Sequence, residues 1–407
     1  MPESFWKRTK NMSDSKFHHE RRIAEHIRVL PRSGIRDFFD LVTQMDDVIS
    51  LGIGEPDFVT PWHIREAAIY ALEKGHTSYT SNMGLLSLRQ ACCEYVEKQF
   101  GVRYNPEEEC LITVGVSEGL DLALRALLNR DEEVIYHEPC YVSYNPSAAM
   151  AHAVPVPVTT KAEDEFVLTP AALEKVVTPQ SKVLLTNYPN NPTGANLSDQ
   201  QKLALAKTAV KHDLLVITDE IYSELTYGNS SKSIAACPDM KERTILLHGF
   251  SKAFAMTGFR IAFACGPPEL IEAMMKIHQY SMLCASIIAQ EAALEALRNG
   301  GSQMEKMRRE YEQRRNVIVK RLNEAGLSCM LPKGAFYVFP SIKDTGLSSQ
   351  EFAARLLEEK RVAVVPGSAF GKAGEGYVRC SYATGLKEIN EATRRIAEFV
   401  AELKTKK

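Results

Sequence analysis

G-F-S-K-A-F-A-M-T-G-F-R-I-A, residues Gly249 to Ala262, follows an apolar, strand-like run from Thr244 to His248. The order sets Lys252 at the mouth of a sheet and Arg260 a short loop further on. A lysine so placed can form an imine with an aldehyde, because burial lowers its pKa and leaves an amine free to attack a carbonyl. An arginine nearby can grip a phosphate, since its planar fork matches the oxygens. For one such pair in isolation a solvated loop is the commoner explanation, so the rest of the chain decides.

Working outward, short apolar runs alternate with amphipathic ones from about residue 60 to 295. Strands are expected over Leu111–Val114, Glu133–Tyr136, Ala153–Val158, Lys182–Thr186, Leu214–Thr218, Thr244–His248 and Arg260–Cys265, with helices such as Glu118–Leu128 and Asp199–His212 between them. That alternation predicts an α/β domain with a mostly parallel sheet, whose ligands sit beyond the carboxyl ends of the strands. Gly115–Ser117, Asn187–Gly194 and Asp219–Tyr222 all fall at such ends. After residue 295 the style changes to a charged helix (Gln303–Ala325), a second (Ser349–Glu359), a strand (Ala363–Val365) and a closing helix (Leu386–Leu403). The expected organisation is an N-terminal arm (1–30), a large domain (60–295) and a smaller α+β domain from 31–59 and 296–407.

Composition narrows the function classes. With 407 residues, 45% of them hydrophobic, the chain can bury a large core. Its 49 Lys+Arg against 51 Asp+Glu create no field to draw nucleic acid or an acidic membrane. No apolar run approaches bilayer length, and the polar start MPESFWKRTKNMSDSKFHHERR lacks a secretory apolar core. The 9 cysteines are odd in number and scattered, with no C-x-x-C pair, so neither metal-ligand spacing nor a disulfide framework is expected. A cytoplasmic protein with reduced thiols is the reading.

The segments at the strand ends have their own chemistry. N-Y-P-N-N-P-T-G (Asn187–Gly194) is a turn fixed by two prolines and a glycine. Gly115-Val116-Ser117 opens a helix, where outward N–H groups and the helix dipole favour an anion. Asp219, in T-D-E-I-Y, reads equally as a capping aspartate or a functional carboxylate; Glu220 leaves the strand on the opposite side.

The lysine stretch as a whole resembles the pyridoxal-phosphate attachment signature of class I aminotransferases. G-I-G-E-P-D-F-V-T-P, N-Y-P-N-N-P-T-G, T-D-E-I-Y-S-E-L-T-Y, K-G-A-F-Y-V-F-P and V-P-G-S-A-F-G extend the likeness in matching order, from Ser33-Gly34-Ile35-Arg36 to about residue 400. The chain resembles fold-type I, class I/II aminotransferases of the branch holding aromatic, aspartate and N-acetyl-diaminopimelate enzymes.

That resemblance implies roles. Lys252, with Asp219 and Tyr222, would carry catalysis, Asp219 as the carboxylate beside the cofactor's ring nitrogen. Asn191 and Tyr222 would hydrogen-bond the ring oxygen, and Tyr141 would stack on the ring. Val116, Ser117, Ser251 and Arg260 would hold the cofactor around its phosphate. Gly249 stands where the family commonly has a phosphate-binding serine, leaving one donor fewer. Tyr79 resembles the tyrosine that reaches the neighbouring subunit's phosphate, which implies a homodimer with shared active sites. Arg379 matches the clamp for the substrate carboxylate, with Gly54 adding a backbone N–H and Asn191 nearby.

An arginine in one domain and the lysine in the other imply closure on substrate. The implied activity transfers an amino group from an L-amino acid, aromatic or related, to a 2-oxo acid such as 2-oxoglutarate, by ping-pong kinetics through a Lys252 aldimine. A carbon–sulfur β-lyase on the same fold is the alternative. A DNA-binding regulatory module is disfavoured by a leading segment too short for a winged helix and a net charge of −2. Ile35, Phe39, Tyr144 and His278–Cys284 are candidates for the side-chain pocket.

Overall fold

A computed structural model describes residues 19–28, 30, 45–228 and 232–405. The chain divides into Met1–Arg32 and Ser33–Lys407. The first unit has a turn of 3-10 helix at His19–Arg22 and one of α-helix at Glu25–Arg28. Ser33-Gly34-Ile35-Arg36 and Phe39 lie outside the described residues, as does most of the expected arm.

Among the described residues, twelve strands follow in the second unit. They are β1 (Ile49–Ser50), β2 (Cys110–Thr113), β3 (Glu133–Glu138), β4 (Val154–Thr159), β5 (Ser181–Asn187), β6 (Leu215–Asp219), β7 (Thr244–Gly249), β8 (Ala262–Cys265), β9 (Tyr337–Val338), β10 (Val362–Ala363), β11 (Val365–Pro366) and β12 (Val378–Ser381). Seven of them build the main sheet in the order β2-β8-β7-β6-β5-β3-β4. Every neighbouring pair is parallel except those made by β8, which runs antiparallel to both β2 and β7. All seven expected strands are present, to within a few residues at each end.

The sheet is covered on both faces, so its central strands are continuously apolar rather than alternating. Successive residues leave to opposite sides: Ile112, Leu246, Val216 and Leu184 to one, Leu111, Leu247, Ile217 and Leu185 to the other. Helices Leu86–Phe100, Ile287–Asn299 and Asp199–Lys211 cover the first face; Val116–Leu127, Tyr144–Met150 and Pro268–Ser281 cover the second. Local sequence sets these helices off. Asp199–Lys211 starts at a capping box, in which Ser198 Oγ accepts from Gln201 N and the Gln201 side chain accepts from Ser198 N.

The remaining strands form an antiparallel β11-β12-β9 sheet and a parallel β1-β10 pair. They share a core with helices Gly301–Glu324, Ser349–Lys360 and Leu386–Thr405. The single strand expected over Ala363–Val365 is split: Val362–Ala363 pairs with β1, and Val365–Pro366 pairs with β12. Likewise Arg260 is not part of β8. Its φ of 51° is left-handed, and the strand starts only at Ala262.

Gly249 ends β7 opposite Ala262 of β8. A Cβ added there would stand 2.7 Å from Ala262 Cβ and 3.2 Å from its Cα, so a serine fits only if the strands part. Gly249→Ala is expected to lower the urea midpoint, an overpacking cost of about 1–3 kcal/mol. Adding Ala262→Gly should recover part of that loss, a coupling readable in a double-mutant cycle. An unchanged midpoint in Gly249→Ala would show that β7 and β8 are not in contact there.

Candidate active site

The parallel register of β5, β6 and β7 brings three segments to one edge. Asn187 pairs with Asp219, and Asp219 with Leu247, so the loops leaving these strands share a single cleft of about 670 Å³. Lys252 enters it from the one-turn helix Phe250–Ala253 that follows β7. Its Nζ donates to Gly54 O at 2.7 Å and faces the rings of Tyr222 and Phe336. Burial is the main force lowering its pKa to about 8; Arg379 and Arg260 push the same way, while Glu55 and Asp219 oppose. With its pKa at about 8, roughly a tenth of Lys252 is a neutral amine at pH 7, far more than for an ordinary lysine.

Asp219 is buried at the end of β6. Its Oδ2 accepts from Tyr144 Oη at 2.8 Å and its Oδ1 from Ile221 N at 3.2 Å. Burial raises the carboxyl to about 6, against those two hydrogen bonds. Asn187 holds the turn from below: its Nδ2 donates to Asp219 O and its Oδ1 accepts from Asn191 N.

Arg379 reaches the cleft from β12. It is buried, flat between the rings of Tyr337 (4.5 Å) and Phe370 (4.9 Å). Nη1 donates to Asn191 Oδ1 at 2.9 Å and Nη2 to Gly52 O at 2.6 Å, while the buried Nε has no partner. Gly54 closes the same corner, and a Cβ on it would meet Tyr337 Oη at 2.8 Å. Tyr337 Oη in turn lies 2.9 Å from Tyr222 Oη.

The third corner is the start of helix Val116–Leu127. Gly115, at φ 81°, leaves no room for a side chain: an added Cβ would stand 2.6 Å from Arg260 Nη2. The exposed Arg260 guanidinium thus lies against the first N–H groups of a helix, the arrangement that captures a phosphate. Ser117, Val116 and Ser251 line the cleft beside it.

The cleft is therefore lined by Gly54, Val116, Ser117, Tyr141, Asn191, Asp219, Tyr222, Ser251, Lys252, Arg260 and Arg379. Two expected residues do not line it. Gly249 is buried against Ala262, and Tyr79 is 82% exposed on the surface. Tyr144, expected in the side-chain pocket, lies behind Asp219 as its hydrogen-bond donor. The His278–Cys284 segment also stays out: His278 is buried against Glu118 at 2.7 Å, while Tyr280 and Met282 are exposed. Sequence reasoning passed over Asn187, Tyr337 and the role of Tyr144. Asn187 opens the N-Y-P-N-N-P-T-G turn, and Tyr144 stands one helical turn after Tyr141, which are the signals that could have found them.

Residues 46–396 match the family model described as aminotransferase class I and II. A relative named putative aminotransferase YugH of Bacillus subtilis is 52% identical over 378 residues, 93% of this chain and 98% of that protein. The aromatic-amino-acid aminotransferase 2 of Thermococcus litoralis is 47% identical over 385 residues, covering 94% and 99%. The crystal structure of an aromatic aminotransferase from Pyrococcus horikoshii superimposes with a TM-score of 0.87 at 47% identity, over 91% of this chain and 99% of that one. The chain belongs to the class I and II aminotransferases, and its fold is that of a fold-type I enzyme.

The raised carboxyl of Asp219 has a consequence for stability. The folded state holds its proton up to pH about 6, and the unfolded state only to about 3.8, so between those values the folded chain binds more protons. Stability therefore falls as pH rises through this window. In cofactor-free protein, Asp219→Asn removes that term, worth about 3 kcal/mol. Urea unfolding should show the variant gaining on the parent between pH 4 and 6.5. Parallel pH profiles would contradict the buried, raised carboxyl.

Proposed function

We infer that this chain is a pyridoxal-phosphate-dependent aminotransferase that moves the amino group of an L-amino acid, aromatic or related, to a 2-oxo acid such as 2-oxoglutarate in two ping-pong half-reactions. What carries this reading is the meeting of a lysine with a lowered pKa and a buried, partly unpartnered arginine in one cleft. A neutral amine and a fixed carboxylate fork are the two groups that amino-acid chemistry at Cα needs.

The residues fit the cofactor. Arg260, beside Gly115 at the start of helix Val116–Leu127, would hold its phosphate, with Ser117, Val116 and Ser251 adding donors. Buried Asp219 has one oxygen bonded to Tyr144, and its carboxylate would hold a proton on the ring nitrogen; a cation there would keep the carboxyl ionised. Tyr141 would cover the ring face, and Asn191 and Tyr222 would donate to the ring oxygen. When bound, pyridoxal phosphate supplies an electrophilic carbonyl and a ring that takes up the electron pair of a broken Cα–H bond.

The chain does the rest. Arg379, held flat by Tyr337 and Phe370, would grip the substrate α-carboxylate, with the Gly54 corner kept open for it. Lys252 Nζ would remove the Cα proton. Arg379 lies on β12 of the smaller sheet and Lys252 on the one-turn helix after β7 of the main sheet, so closure of a 31–59 and 296–407 domain onto a 60–295 domain would exclude water. The aromatic preference draws on Tyr141, Tyr222 and Tyr337 in the walls and on the name of the Thermococcus relative.

A homodimer completes this reading. Tyr79, Tyr280, Met282 and Leu283 are exposed, and Asn82 Nδ2 donates to Leu283 O at 2.7 Å, so their two segments form one patch for a second copy to cover. Tyr79 would then reach the partner's phosphate. Among the described residues no helix is long and apolar enough to cross a membrane, and all 9 cysteines are free thiols, which suits a reducing cytoplasm.

Lys252→Ala is expected to abolish multiple turnover while retaining cofactor through its phosphate contacts; sustained turnover would overturn the assignment. Arg379→Ala should raise KM for amino donor and oxo acceptor alike and lower kcat/KM by about 10- to 100-fold, the loss of charged hydrogen bonds. Unchanged KM for both would put the carboxylate clamp elsewhere.

A further inference from the structure

Cys110 is the first residue of β2 and Cys265 the last of β8, and the antiparallel register sets them directly opposite each other. Cys93 meets them from helix Leu86–Phe100. The three sulfurs lie within 4.8 Å of one another, and all three residues are buried. We propose that Cys93, Cys110 and Cys265 form a buried three-thiolate site for one divalent thiophilic ion of zinc's kind, separate from the cleft.

The geometry is near what such an ion needs. At the outer limit of that spacing, an ion at the centroid would stand about 2.8 Å from each sulfur, and inward rotation by about 0.5 Å reaches a zinc–sulfur bond of about 2.3 Å. Single buried cysteines usually pack as small apolar groups. Here thiols from three elements converge instead, one from helix Leu86–Phe100 and one from each of two paired strands.

Charge favours a dication over a monovalent ion. Three thiolates and a dication leave one net negative charge. Buried Arg89 can offset it, because its guanidinium bonds to the carbonyl oxygens of Gly84, Pro106 and Glu107 rather than to a carboxylate. The nearby Glu109 is already paired with Lys241 at 3.0 Å. Buried Tyr104, whose Oη has no hydrogen-bond partner, packs in the same core cluster. Soft thiolates select zinc, cadmium and cuprous ions over magnesium or calcium. As each sulfur–metal bond forms, the thiol proton leaves to solvent.

An ion here would staple helix Leu86–Phe100 to the β2–β8 pair. The other end of that pair, Thr113 opposite Ala262, leads into Gly115 and Arg260. The site would therefore brace the strands that present the phosphate corner without touching the reacting atoms.

The test uses cofactor-loaded protein carrying Cys237→Ser and Cys284→Ser, which removes the two partly exposed thiols. After metal stripping it is titrated with cadmium. The expected result is an ultraviolet thiolate-to-metal band that saturates at one ion per chain, is displaced by zinc, and accompanies a rise in Tm. Cys110→Ser and Cys93→Ala should each lose the band while keeping the bound cofactor's absorption. Should Cys110→Ser fail to fold, Cys93→Ala decides alone, since alanine is compatible with the helix. No saturable band, a band that survives in Cys93→Ala, or uptake of cuprous ion but neither cadmium nor zinc would each overturn the proposal.

Discussion

The shared register of three parallel strands is the constraint on which the rest of the cleft depends. Because Asn187 pairs with Asp219 and Asp219 with Leu247, the turns after β5, β6 and β7 must leave the sheet side by side. Asn187 then ties two of them together, bonding Asp219 O and Asn191 N at once. A one-residue slip of β6 would turn Asp219 to the other face, exchange it for Glu220 and separate it from Tyr144. The apolar sides of the strands prevent that slip, since Val216 and Ile217 are fully buried against opposite helical layers. Core packing and functional geometry are thus the same requirement on β6.

Electrostatics distributes roles within that frame. Lys252, Arg260 and Arg379 all face one cleft, and the two arginines help hold the lysine near pKa 8. Each arginine is fixed differently. Arg379 is clamped between aromatic rings and anchored to Asn191 and Gly52, a rigid fork on the smaller sheet. Arg260 is exposed and held by a left-handed turn against Gly115. The stretch leading to β12 is also held to the main sheet: just after β3, Cys140 N donates to Phe370 O at 3.1 Å, and a Cβ on Gly371 would collide with the buried Glu138 carboxyl.

Much of this was legible in the sequence because the signals were local. Seven strands showed as apolar runs, and the loops after them held the residues that line the cleft. What escaped depended on long-range geometry. Arg260 reads as the start of a strand, yet a left-handed turn takes it out of the ladder and towards Gly115. Ala363–Val365 reads as one strand, yet its halves pair with different partners, β1 and β12. Tyr144 reads as a pocket aromatic, because nothing in the local sequence says that its hydroxyl ends on Asp219. The three converging thiols are likewise invisible to a spacing rule, being drawn from one helix and two strands far apart in the chain.

The most direct test of the central claim, that this cleft performs amino transfer on amino acids, is the visible absorption of the purified protein titrated with single amino acids. The account predicts a cofactor band that bleaches with an amino donor, most readily an aromatic one, and returns on addition of 2-oxoglutarate. A band that persists while pyruvate and ammonia accumulate would contradict it in favour of β-elimination, and no band after addition of pyridoxal phosphate would contradict it outright.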